Sequence, residues 1–260
     1  MLLLKDIITF LEKKFPPSLA DDWDNVGLQL GDQNASVAKV MVALDATTQV
    51  VEEAISQDVD LIITHHPFIF APLKAIDFRA SQGKNIHKLI KNDIALYAMH
   101  TNYDVAPGGM NDVLAEKIGL QNVLPFAMID DVHGLGRIGE LEQPMNIDSL
   151  SDIIKFEKLR DEVDDIKTVE TVGAGCIKKV AVIGGSGGKY ICDAKEAGAD
   201  ALVTGDVTYH IALDAIDIGL NLLDIGHFAE VVMQDAVCDL LVARFEEIDV
   251  MKSNTKSPII

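Results

Sequence analysis

Four of the seven histidines fall directly after segments that read as β-strands: His65, His66, His100 and His227. His65 and His66 end DLIITHHP (60–67), where the apolar run Leu61–Thr64 meets Pro67, a residue that cannot continue a strand ladder. Asp104 follows His100 in HTNYD, and Glu230 follows His227 in GHFAE. Imidazole nitrogens with carboxylate oxygens make a mixed donor set that suits Zn, Mn, Fe or a similar divalent ion. Adjacent residues of an extended strand point to opposite faces, so His65 and His66 need the turn at Pro67 to be aimed usefully. Glu230 lies three residues after His227, a spacing that puts both on one side of a helix start. Each residue also has a plainer reading. A histidine after a strand is ordinarily surface polarity, Asp104 is a helix cap, and Glu230 is a first-turn acid facing the helix dipole. Their joint arrival at one sheet edge, from both halves of the chain, favours a metal site.

TGDVTYH (204–210) also follows a strand. Thr204 and Asp206 are candidates for supporting a ligand or touching substrate, and Asp206 and His210, four apart, would share a helix face. GGSGG (184–188) stands between a strand and a helix, where backbone N–H groups cradle phosphate or simply turn the chain. It matches no nucleotide fingerprint, and no GxSxG or cysteine–histidine nucleophile pattern is present. His87 and His133 read as ordinary surface residues. The acids of the loop through Asp21, Asp22, Trp23, Asp24 and Asn25 read as a solvated turn, with approach to a metal as the other possibility.

Positioning these residues falls to alternating strands and helices. Leu4, Ile7, Ile8 and Leu11 recur at helical spacing until Phe15-Pro16-Pro17 stops the run. KVMVALD (39–45) reads as a strand, TTQVVEEAISQD as a helix capped by Thr47 or Thr48, and DLIITHH as the next strand. A helix near 82–92, the strand IALYAMH (94–100) and the helix MNDVLAEKIGL follow. Residues 124–145 read as a β-hairpin or meander, 147–160 as a charged helix and KTVETVG as a further strand. The second half then echoes the first: KVMVALD faces KVAVIGG (179–185) and DLIITH faces DALVTG (200–205), both at an offset of 140. IALYAMH faces NLLDIGH (221–227) at an offset of 127, which would match two terminal histidines. The pattern implies an α/β protein made of two related halves: 1–125, a connecting hairpin and helix over 126–175, 176–250, and a loose tail over 251–260.

A formal charge of −19 and a pI near 4.6 repel phosphate backbones, so nucleic-acid binding is disfavoured. No apolar run approaches the roughly 18–20 residues of a membrane span, and charge follows Met1–Leu4 too soon for a signal peptide. Cys176, Cys192 and Cys238, widely spaced and without CxxC, fit a reducing compartment, read as buried small residues. A cytoplasmic protein is expected.

THHP, HTNYD, TGD with its YH, and GHFAE, in that order from about residue 20 to about residue 240, resemble the GTP cyclohydrolase 1 type 2 homolog family, the Nif-three-like dinuclear metal centre proteins. The resemblance implies two related α/β halves with two divalent ions in the cleft between them. It carries the ligands onto His65, His66, Asp104, His227 and Glu230, with Glu230 bridging. Here the glutamate follows the histidine by three positions where other members have four. Hexameric toroids are implied, while the domain that some members insert between the halves has no room here. Two such ions would activate water and clamp the oxygens of a displacement, with His100 or His210 as general acid or base. The reading is a hydrolase of a small phosphorylated or nucleotide-like substrate. The alternative is a non-catalytic metal-binding or regulatory hexamer that binds a protein partner.

Overall fold

Leu4, Ile7, Ile8 and Leu11 form the buried stripe of helix α1 (Leu4–Lys14), whose last turn carries Lys13 and Lys14 where cations favour the helix dipole. In the computed structural model, residues 1–159, 163, 165–171, 175–254 and 256–258 are described. They divide into two units, Met1–Ala106 with Met233–Lys256, and Pro107–Val232 with Ser257–Ile260. No helix among the described residues is long and apolar enough to cross a membrane.

After α1 the first unit runs β1 (Gly27–Leu30), β2 (Lys39–Ala43), α2 (Thr48–Ser56), β3 (Leu61–Thr64), α3 (Ser81–Lys91), β4 (Ala95–Ala98) and α4 (Thr101–Val105). Thr47 caps α2, its hydroxyl accepting from the Val50 N–H at 3.2 Å. β2, β3 and β4 are parallel, and all their residues but Lys39 are buried. Strands covered on both faces need apolar residues throughout, which is why they read as continuous runs. Val50, Val51 and Ala54 of α2 and Leu89 of α3 pack on Met41, Ile62 and Leu96 of the sheet.

The second unit contains α5 (Met110–Ile118), β5 (Gln121–Met128), β6 (Gly134–Met145), α6 (Ile147–Ile153), β7 (Lys167–Val169), β8 (Ile177–Val182), α7 (Ile191–Glu196), β9 (Ala201–Thr204), α8 (Tyr209–Ile218) and β10 (Asn221–Asp224). A 3-10 segment, His227–Val232, follows. The chain then returns to the first unit as α9 (Met233–Arg244) and β11 (Asp249–Lys252). The first sheet has the order β1-β4-β3-β2-β11 and the second β5-β6-β8-β9-β10-β7.

Several expectations change. The hairpin β5–β6 belongs to the second sheet, since β6 pairs with β8. The charged helix is α6 followed by a π-helical turn, Ile154–Lys158, and residue 160 lies outside the described residues. Of KTVETVG only Lys167–Val169 is strand, and residues 172 and 173 lie outside the described residues. The start of the expected loose tail is ordered: β11 pairs in parallel with β2, and the Ser253 N–H donates to the Val42 carbonyl at 2.9 Å. Residues 255, 259 and 260 of that tail lie outside the described residues. Cys176 and Cys192 are exposed rather than buried; at a polar strand start and a short helix they have no core to enter.

The internal echo is structural. Asp60 Oδ2 accepts the N–H groups of Ala38 and Lys39 at 2.8 and 2.9 Å, and Asp200 Oδ2 accepts those of Lys178 and Lys179 at 2.9 and 2.8 Å. β3 and β4 pair Leu61 with Ala95, and β9 and β10 pair Ala201 with Asn221. The third strands are therefore offset by 126 positions, one fewer than the sequence comparison gives. His100 then corresponds to Gly226, and His227 to Thr101.

Candidate metal centre

The carboxyl end of β3 delivers two histidines and then turns. The Thr64 hydroxyl donates to the His66 carbonyl at 2.9 Å, closing the bend before Pro67. His65 is fully buried, and its Nδ1 lies 2.9 Å from the Met99 carbonyl oxygen. A carbonyl only accepts, so Nδ1 donates to it, and Nε2 is the ring nitrogen left to face a ligand. That Nε2 lies 3.5 Å from Asp104 Oδ1. His66 Nδ1 lies 2.9 Å from Asp45 Oδ1, and His100 Nδ1 lies 2.9 Å from Asp24 Oδ1. The His65 ring centroid is 4.9 Å from that of His66 and 5.1 Å from that of His100. Each of these three histidines offers a nitrogen within 4.8 Å of the others, a group able to hold a metal ion. The bend at Pro67 thus overcomes the opposite pointing of adjacent strand residues.

Asp24 overturns its reading as part of a solvated turn. Its side chain is fully buried and accepts from His100, from the Thr101 N–H at 3.1 Å and from the Thr101 hydroxyl at 2.6 Å. Burial works against its ionisation, but the bonds from His100 and Thr101 override it and hold the carboxyl at about 2. In the sequence Asp24 reads only as one of several loop acids, with approach to a metal as the other possibility, and Asp45 is left out of the candidate residues. Asp45 carried a usable signal, as an acid just past the end of a buried strand beside β3. Nothing local to Asp24 signals its burial, because its partners lie 76 and 77 residues away.

In the second unit, His227 begins the 3-10 segment with Nδ1 2.7 Å from Asp206 Oδ2 and Nε2 3.3 Å from Glu230 Oε2. Glu230 is 2% exposed. Two glycines of GGSGG make room for this pair: a Cβ at Gly185 would lie 2.7 Å from Glu230 Oε1 and 3.3 Å from His227 Nε2, and one at Gly184 would lie 3.1 Å from Glu230 Oε1. Gly185 also has φ +58°, a left-handed conformation that favours glycine. The loop is laced by the Gly184 N–H to Asn111 Oδ1 at 2.7 Å and the Gly187 N–H to the Thr204 hydroxyl at 2.8 Å. Thr204 is therefore a buried latch for the glycine loop. Asp206 and His210 do not share a helix face, because Thr208 caps α8 and leaves Asp206 in the preceding loop. His210 is exposed in the first turn of α8 beside Tyr209. His87 stacks on Phe78, and His133 lies 2.7 Å from Asp130 in the hairpin loop.

These residues fit the divalent ions that the sequence resemblance implies. Metal-bound histidines ordinarily donate the other ring N–H to a carbonyl or carboxylate, which fixes tautomer and orientation. His65, His66, His100 and His227 all have Nδ1 against such an oxygen.

The fold and this donor set define an α/β protein with histidine–carboxylate groups able to hold metal. The Duf34/NIF3 (NGG1p interacting factor 3) family model matches residues 2–258, and the chain belongs to that family. It is 40% identical over 229 residues to the GTP cyclohydrolase 1 type 2 homolog of Clostridium perfringens, covering 86% of this chain and 85% of the relative. With the Bacillus subtilis protein of the same name identity is 32%, over 90% of each chain. That alignment spans 342 positions against 260 residues here, so the relative carries inserted residues that this chain lacks. Among solved structures, a Bacillus cereus protein related to NIF3 superposes with a TM-score of 0.90 at 32% identity, covering 100% of this chain and 99% of that one. A Staphylococcus aureus hypothetical protein gives 0.91 at 35%, covering 99% and 98%.

Proposed function

We propose that this chain is a dinuclear metal-dependent hydrolase of a small phosphorylated or nucleotide-like substrate. His65, His66 and Asp104 of the first unit and His227 and Glu230 of the second hold two divalent ions per chain, of the zinc, manganese or iron kind. The observation that carries this reading is the anchoring of each histidine through Nδ1, which presents Nε2 as the donor. Bound divalent ions supply Lewis-acid polarisation and lower the pKa of water. The chain's own groups do the rest. His100, its ring held by the Asp24 carboxylate 2.9 Å from Nδ1, is oriented to take up and return a proton. It fits that role better than the exposed His210. Asp206 orients His227, and Thr204 holds the loop that makes room for Glu230. Family resemblance supports a cytoplasmic homohexamer.

Protein loaded with zinc, manganese or iron should hydrolyse GTP or a phosphoester such as p-nitrophenyl phosphate. That activity should vanish in His65→Ala while the oligomer survives. Fully loaded wild-type protein inert toward both substrates with every metal would favour a metal-binding protein without turnover.

A further inference from the structure

Trp23 is the only tryptophan in the chain, yet it is 55% exposed, beside Phe70 at 55%. Their ring centroids lie 5.7 Å apart at 47°, and Trp23 meets the His100 ring edge-to-face at 5.8 Å and 73°. An aromatic surface therefore runs from Phe70 across Trp23 to His100, whose ring packs against those of His65 and His66.

Both aromatics are held in place. The turn carrying Trp23 is closed by the Asp24 N–H to the Asp21 carbonyl at 2.9 Å. It is pinned at both ends on Thr101, whose hydroxyl accepts the Asp21 N–H at 3.0 Å and donates to Asp24 Oδ2. The Phe70 segment is strapped to the residues after the tryptophan. The Asn25 side-chain amide donates to the Ile69 carbonyl, the Ile69 N–H donates to Gln29 Oε1 at 2.8 Å, and Gln29 Nε2 donates back to the Asn25 carbonyl at 2.7 Å. Solvent exposure alone requires no such network. What the network achieves is a fixed orientation, which lowers the ordering cost of binding.

We infer that Trp23 and Phe70 form a stacking platform for a planar heteroaromatic group of the substrate, a purine or similar base. The inference rests on the hydrolase reading for its placement, with the reacting end of the substrate directed toward His100. Every base has a π-face, so a tilted aromatic pair holds it without reading its edges. The charge of −19 opposes long-range capture of an anionic nucleotide, and stacking supplies attraction that the field does not.

The single tryptophan reports directly. Zinc-loaded protein is titrated with GMP and, separately, with ribose 5-phosphate, and metal content is measured on the same samples. Saturable quenching by GMP, with none by ribose 5-phosphate, is expected. In equilibrium dialysis, Trp23→Leu should weaken GMP binding about ten-fold or more, and Trp23→Phe should restore most of it. Equal quenching by both ligands, no quenching, or unaltered binding in Trp23→Leu overturns the platform. Emission already shielded from acrylamide wherever the chain self-associates, and unresponsive to GMP, also overturns it and assigns the face to a second copy. Quenching without bound metal keeps the platform and removes the hydrolase reading; full metal without quenching does the reverse.

Discussion

Asp104 and Glu230 are each the fourth residue of a short helical segment that follows the third strand of its unit's parallel trio. α4 starts at Thr101 after β4 ends at Ala98, and the 3-10 segment starts at His227 after β10 ends at Asp224. The paired registers of β3–β4 and β9–β10 make the two carboxylates equivalent positions of a repeated unit. Around that shared acid the two copies have diverged. The first has His65 and His66 after its second strand, where the second has Gly205 and Asp206. The second instead starts its helical segment with His227 and uses Asp206 to orient it.

Asp45 meets His66 at Nδ1 and stands outside the proposed ligand set. Asp45→Ala should weaken zinc or manganese binding by about 10–100-fold through loss of ring orientation. Isothermal titration of the apo-protein reads this directly, and unchanged affinity would remove the anchoring argument.

Gly185→Ala combines a positive φ with a Cβ 2.7 Å from Glu230 Oε1. It should lower stability by about 1–2 kcal/mol and displace the carboxylate, so that bound metal falls. Gly175→Ala, where a Cβ meets nothing within 4 Å, should stay within about 0.5 kcal/mol and keep its metal. Urea titration with metal analysis of both variants checks the contrast.

Asp24 gives the fold a defined acid sensitivity. Burial opposes its charge, but hydrogen bonds from His100 and Thr101 lower its carboxyl from an ordinary 3.8 to about 2. A carboxylate depressed in the folded state contributes stability fully above its unfolded value, and that contribution is lost as pH falls through the folded one. Between pH 4 and pH 2, wild-type stability should therefore fall more steeply with acid than that of Asp24→Asn. Parallel slopes in acid titrations followed by circular dichroism would contradict this.

The sheet strands were legible because burial on both faces leaves an unbroken apolar run, as in Leu61–Ile63 and Ala201–Val203. The candidate ligands were legible because chemistry at a strand end shows as a polar residue directly after such a run. The sequence match of IALYAMH with NLLDIGH pairs His100 with His227, one residue off the true register, because only the ladder pairing fixes it. Asp24 was illegible for a different reason: its burial comes from residues distant in sequence. The aromatic pair was equally hidden, because Trp23 and Phe70 meet only through the straps on Asn25, Gln29 and Ile69.

Metal content per chain is the most direct test of the dinuclear reading. Untagged protein purified without chelator should carry about two equivalents of a divalent ion, and the His65→Ala/Glu230→Ala double variant should lose them while remaining folded. Little metal in the wild type, even after reconstitution with zinc, manganese and iron, would contradict the account and return the anchored histidines to a purely structural role.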